Sequence, residues 1–65
     1  MDGTNRADVV PGAEVEVVQK ADQGSGQLTR GIVQELLTNS PFHPHGIKVR
    51  LTSGQVGRVK NVLSK

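Results

Sequence analysis

The stretch His43-Pro44-His45-Gly46-Ile47-Lys48-Val49-Arg50-Leu51-Thr52-Ser53-Gly54-Gln55-Val56-Gly57-Arg58-Val59-Lys60 decides the fold. Apolar and cationic residues alternate through Ile47–Leu51 and again through Val56–Lys60, the two-residue period of strands with one buried and one solvated face. A two-residue turn on Ser53-Gly54 would set Val49 opposite Arg58 and mix core with solvent on one face, which a half-buried strand pair does not tolerate. A three-residue loop, Thr52-Ser53-Gly54, with Gly54 in the left-handed region as a glycine bulge, avoids the conflict. It predicts Ile47 opposite Val59 and Val49 opposite Gly57. On the outer face it sets Lys48 opposite Arg58, with Arg50 and Lys60 diagonal to them. Like charges facing each other on a sheet cost roughly a few tenths of a kcal/mol, so the stripe points to an anionic partner; the plainer reading is a solvated outer face.

The chain has 65 residues, enough for one domain that buries only about 60% of its unfolded surface. It contains no cysteine, so disulfides, thiolate catalysis and thiolate zinc sites are excluded. No apolar run approaches the roughly 18 residues of a membrane span, and the polar start Met1-Asp2-Gly3-Thr4-Asn5 does not resemble a leader peptide. The expectation is a soluble, cytoplasmic protein. Net charge is only +2, but all six acids (Asp2, Asp8, Glu14, Glu16, Asp22 and Glu35) precede Leu36, while five cations and no acid follow it. That asymmetry is a candidate electrostatic footprint.

Residues 1–10 read as a loosely ordered lead-in, with a helical turn started by Thr4. Residues 11–63 form the single barrel domain. Pro11-Gly12 suits the centre of a type II turn and launches a strand from Ala13 to Lys20, with Val15 and Val17 on one face and Glu14 and Glu16 on a solvated edge. The polar, glycine-rich run Ala21-Asp22-Gln23-Gly24-Ser25-Gly26-Gln27 is a flexible connection. It is no phosphate-binding P-loop, because no lysine follows the glycines and the next element is a strand rather than a helix. That strand, Leu28 to Thr38, loses its alternation after Ile32, and Gly31 marks a bulge or bend of the kind that closes a small barrel. Pro41 and Pro44 stiffen the following loop by holding Ser40 and His43 extended. Val62 and Leu63 close the core, and Ser64 and Lys65 fray. The sum is an all-β protein, a small antiparallel barrel of four to five strands.

Pro11-Gly12, Val15-Glu16-Val17, Arg30-Gly31-Ile32-Val33 and Ile47-Lys48-Val49 together resemble the KOW-type, SH3-like barrel of ribosomal and transcription proteins. Over nearly the whole length the match is tighter. Leu28-Thr29-Arg30-Gly31-Ile32-Val33, Leu37-Thr38-Asn39-Ser40-Pro41, His43-Pro44-His45-Gly46-Ile47-Lys48-Val49-Arg50-Leu51 and Ser53-Gly54-Gln55-Val56-Gly57-Arg58-Val59 resemble the YwbE-like family of small bacterial proteins. The His-Pro-His-Gly block makes that resemblance specific, and Phe42 departs from it, standing where a small polar residue is expected. The resemblance implies a fold and brings no activity with it.

Glu14 and Glu16 lie two residues apart on one strand face, the spacing of a solvated pair far more often than of an acid–base pair. His43 and His45 flank Pro44 and could share a metal, yet zinc takes three or four protein ligands and no third is at hand. They read as loop residues that bond backbone or titrate near the ordinary histidine range, and no metal or cofactor is expected. Ser40, Ser53 and Thr38 have no base and orienting partner in view, so no catalysis is expected either. Two binding classes remain. The first is an RNA- or ribonucleoprotein-binding module: Lys48, Arg50, Arg58, Lys60 and Arg30 contact phosphate, while Phe42, His43 and His45 offer stacking faces. With one Phe and no Tyr or Trp, its aromatic surface is small. The second is a protein-interaction module that docks through the barrel edge or the His-Pro loop.

Overall fold

The computed structural model describes residues 3–64. Four strands, β1 (Glu14–Gln19), β2 (Thr29–Leu36), β3 (Lys48–Leu51) and β4 (Val56–Ser64), close into an antiparallel barrel in the order β1-β2-β3-β4, with β4 returning to β1. This is the small antiparallel all-β barrel that the alternation predicts, in keeping with the SH3-like fold that the resemblance implies. Short 3-10 turns at Arg6–Asp8 and Lys20–Asp22 complete the elements. No helix among the described residues is long and apolar enough to cross a membrane.

The β3–β4 hairpin has the expected register. Lys48 pairs with Arg58 and Val49 with Gly57, and the Val59 amide donates to the Ile47 carbonyl at 2.9 Å. The Gly54 amide donates to the Leu51 carbonyl and the Leu51 amide to that of Gln55, with Gly54 at φ +100°. These bonds close the three-residue loop Thr52-Ser53-Gly54 with its glycine bulge. The Pro11-Gly12 turn also holds, with Gly12 at φ +91° and a bond from the Ala13 amide to the Val10 carbonyl.

The inward residues form a core of small aliphatics. Val9, Ala13, Val15, Val17, Ile47, Val49, Leu51 and Val59 are wholly buried, with Val33 and Val62 nearly so. Such a core suits a thin barrel, and Gly57 shows how thin. It pairs with Val49 on one side and Gln19 on the other, and a Cβ there would lie 2.7 Å from the Val18 carbonyl oxygen and 2.9 Å from a Val17 methyl.

Six expectations are corrected. Residues 3–10 are packed rather than loose: the Gly3 carbonyl accepts from Ile47, the Thr4 carbonyl from His43, and Asn5 bridges to Phe42. Val9, whose amide donates to the Arg6 carbonyl at 3.2 Å, completes the core. The first helical turn is capped by Asn5, without a side-chain bond, rather than started by Thr4. The break in β2 is a bulge between Val33 and Glu35, not at Gly31, whose missing side chain instead makes room for Leu51, 2.7 Å from where a Cβ would stand. Leu63 is exposed because alternation from buried Val62 turns it outward, and Ser64 is paired with Glu14 instead of frayed; Lys65 lies outside the described residues. Finally, β1 is no edge, since β2 and β4 flank it, and Glu14 and Glu16 are half-buried.

Gly57→Val is expected to destabilise by about 3 kcal/mol, the upper end of the usual overpacking cost, because the atoms it meets include backbone that cannot rotate away. Gly24→Ala, with nothing within 4 Å of its Cβ, should change stability by less than about 0.5 kcal/mol. Denaturant midpoints check both, and a Gly57→Val midpoint equal to that of the parent would refute the register.

Candidate nucleic-acid interface

Alternation and the hairpin register put Lys48, Arg50, Arg58 and Lys60 on the outer face of β3 and β4. Lys60 owes its place to a second device. The β1–β4 register shifts between Glu16 and Val17, where Glu16 pairs with Asn61 and Val17 with Val59, so Lys60 is the extra residue of a β-bulge. Lys60 and Asn61 therefore both face outward in succession, between buried Val59 and Val62, and bulges commonly re-aim a side chain in this way.

The cations are not equivalent. Glu35 forms an ion pair with Arg50, and Glu14 holds Arg30 through Nη2 at 2.8 Å and Nε at 2.9 Å. Arg30 pairs across to Glu16 on β1 and lies away from the hairpin's outer face. Lys48, Arg58 and Lys60 form no ion pair among the described residues. Arg58 is half-buried, not fully exposed, and donates through Nη1 to the Gly46 carbonyl at 3.1 Å; Lys60 Nζ donates to the His45 carbonyl at 3.2 Å. Successive carbonyls of one loop thus hold two cationic head groups side by side.

That loop is built to a narrow tolerance. Gly46 sits at φ +100° with no room for a side chain, since a Cβ would fall 2.2 Å from the Val59 carbonyl oxygen. Its amide bonds the His43 carbonyl, and the Thr38 hydroxyl accepts from the Lys48 amide at 2.8 Å. The His45 amide donates to His43 Nδ1 at 3.2 Å, and the two rings lie 5.8 Å apart at 49°. Partial burial, then the positive charges of Arg58 and His45, hold the His43 pKa below its ordinary 6.5. Phe42 is 53% exposed and bridged by its backbone to Asn5, apart from the cations. Among the described residues no three His, Asp or Glu side chains gather as a metal-binding group.

A cleft of about 390 Å³ opens beside Arg58 and Lys60, lined also by Val18, Gln23, Gly26 and His45. The contribution of Gln23 and Gly26 is absent from the sequence reading. Its only signal is the glycine-rich run 21–27, which lacks the lysine of a phosphate loop but is brought by the β1–β2 connection against cations supplied from β4.

Residues 2–62 match the family described as "Uncharacterized conserved protein (DUF2196)". The chain belongs to this family. A relative from Bacillus subtilis (strain 168), "Uncharacterized protein YwbE", is 52% identical over 64 residues, covering 98% of each chain, in keeping with the YwbE-like resemblance of the sequence blocks. No solved structure matches the chain.

His43 should titrate with a midpoint below 6.5 in ring-proton NMR spectra, and Arg58→Gln should move that midpoint upward. Because the folded pKa is lowered, the neutral ring is the one the fold favours. Its contribution is present above pH 6.5 and is lost as pH falls through the folded midpoint. A His43 midpoint at or above 6.5 contradicts the proximity of Arg58.

Proposed function

We propose that the protein is a small cytoplasmic module, without catalytic activity, that binds the backbone of single-stranded RNA through the outer face of β3 and β4. The observation that carries this reading is the grouping of Lys48, Arg58 and Lys60 on one face with no carboxylate partner among the described residues, while Glu14 and Glu35 occupy Arg30 and Arg50. Cations left unpaired where like charges oppose each other are suited to phosphate, and phosphate contacts supply affinity without sequence preference. His43 and His45 add stacking faces next to them. Arg30 and Phe42 stand outside this set, and Arg50 joins it only by leaving Glu35.

A second reading is docking on a protein assembly. The closed barrel leaves no open strand edge for it, so it rests on the His-Pro loop and exposed Phe42. Capture that survives high salt and nuclease would favour it.

Three phosphates neutralised at about 0.7 each give a log–log salt slope near −2 for a single strand. Changing Lys48 and Lys60 together to Gln should flatten the slope by about 1.4, because both side chains are exposed and neither carries the fold. Arg30→Gln is the control and should leave the slope unchanged, and Glu35→Gln should tighten binding by releasing Arg50. Fluorescence anisotropy across a salt series reads all four proteins. No binding by the parent at low salt, or an unaltered slope in the double variant, rejects the reading.

A further inference from the structure

The cleft beside β4 differs from the open stripe in having walls of several chemistries. At one end Arg58 and Lys60 are anchored on the successive Gly46 and His45 carbonyls at 3.1 and 3.2 Å, so both cationic head groups are held against one loop. The exposed His45 lies beside them, and Val18, only 7% exposed, gives an apolar patch. Gln23 brings an amide that can donate and accept, and among the described residues no carboxylate lines the space. Its volume of about 390 Å³ lies at the lower end of small-ligand sites.

A pair of cations held against one loop, a planar ring, an apolar floor and one amide match a single chemical unit: a phosphate joined through a sugar to a flat heterocycle. We infer that this cleft is a one-nucleotide subsite, holding a phosphate between Arg58 and Lys60 and the attached base against His45, with Gln23 at the base edge. The inference rests on the RNA-backbone reading and deepens it by assigning one base-contacting position to a surface that otherwise touches only phosphate. The neighbouring His43 ring is set in advance, because its Nδ1 accepts from the His45 backbone amide, and it stands 5.8 Å from the His45 ring. The mobile strand would cross the stripe at Lys48 and turn its base into the cleft at Arg58, which pairs with Lys48 on one side and Val18 on the other.

The test uses two fluorescein-labelled probes of equal length, an oligouridylate and a strand of abasic sugar-phosphate units, and adds uridine monophosphate as competitor. The oligouridylate should bind more tightly than the abasic strand. His45→Ala should weaken the oligouridylate roughly 5- to 100-fold, the range for loss of one stacked base, without changing its salt slope, and should leave the abasic strand unaffected. His45→Phe should restore the lost affinity. Competition by the monophosphate far below the strand's affinity supports a subsite within a strand; competition equal to the strand overturns it in favour of a free-nucleotide site. Equal binding of both probes, with His45→Ala silent on each, overturns the subsite but leaves the backbone reading intact, whereas failure of the parent to bind either probe removes both.

Discussion

At Gly57, β3, β4 and β1 meet with space for a hydrogen and nothing more. Val49 stands on one side and Gln19 on the other, and the Val18 carbonyl lies within 2.7 Å of any added Cβ. A barrel of four short strands encloses little volume, so its sheet must curl tightly, and a glycine where two neighbouring strands press inward makes that possible. The three-residue loop at Thr52-Ser53-Gly54 sets the register that puts Gly57 there. A slip of one residue would carry Arg58 into the core and Val49 and Val59 out of it.

Everything proposed for the surface follows from that register. Once Val49, Gly57 and Val59 face inward, Lys48, Arg58 and Lys60 face outward, and the bulge at Lys60 keeps Asn61 from turning into the core. Which of the outward cations are available is then a matter of where the acids fall. Glu14 and Glu35, on β1 and β2, reach Arg30 and Arg50, and Glu16 accepts from Asn61 at 3.0 Å, while Arg58 and Lys60 donate to loop carbonyls.

The hairpin was legible because each of its residues answers to a local rule: alternation, a turn glycine and opposed pairs. Where the reading of residues failed, the cause was tertiary. Val9 is buried because Gly3 and Thr4 exchange bonds with Ile47 and His43, contacts between segments about forty residues apart that no local pattern announces. Gly31 looked like a bend and is instead a space for Leu51, since a glycine in a strand serves either purpose. Arg58 was expected in full solvent because alternation gives only its side of the sheet; its bond to the Gly46 carbonyl depends on the path of a loop. The cleft was hidden for the same reason, its walls being drawn from β1, the run after it, the His-Pro loop and β4.

The central claim is that one face of the closed barrel, from Lys48 across Arg58 to the cleft, meets the nucleic acid. Amide chemical-shift mapping during titration with single-stranded RNA tests it most directly. The account predicts shifts concentrated at Lys48, Arg58, Lys60, His45 and Gly46 and at Gln23 to Gly26, with Glu14, Arg30 and Ile32 undisturbed. Shifts centred on the Glu14–Arg30 side, or none at low salt, would contradict it.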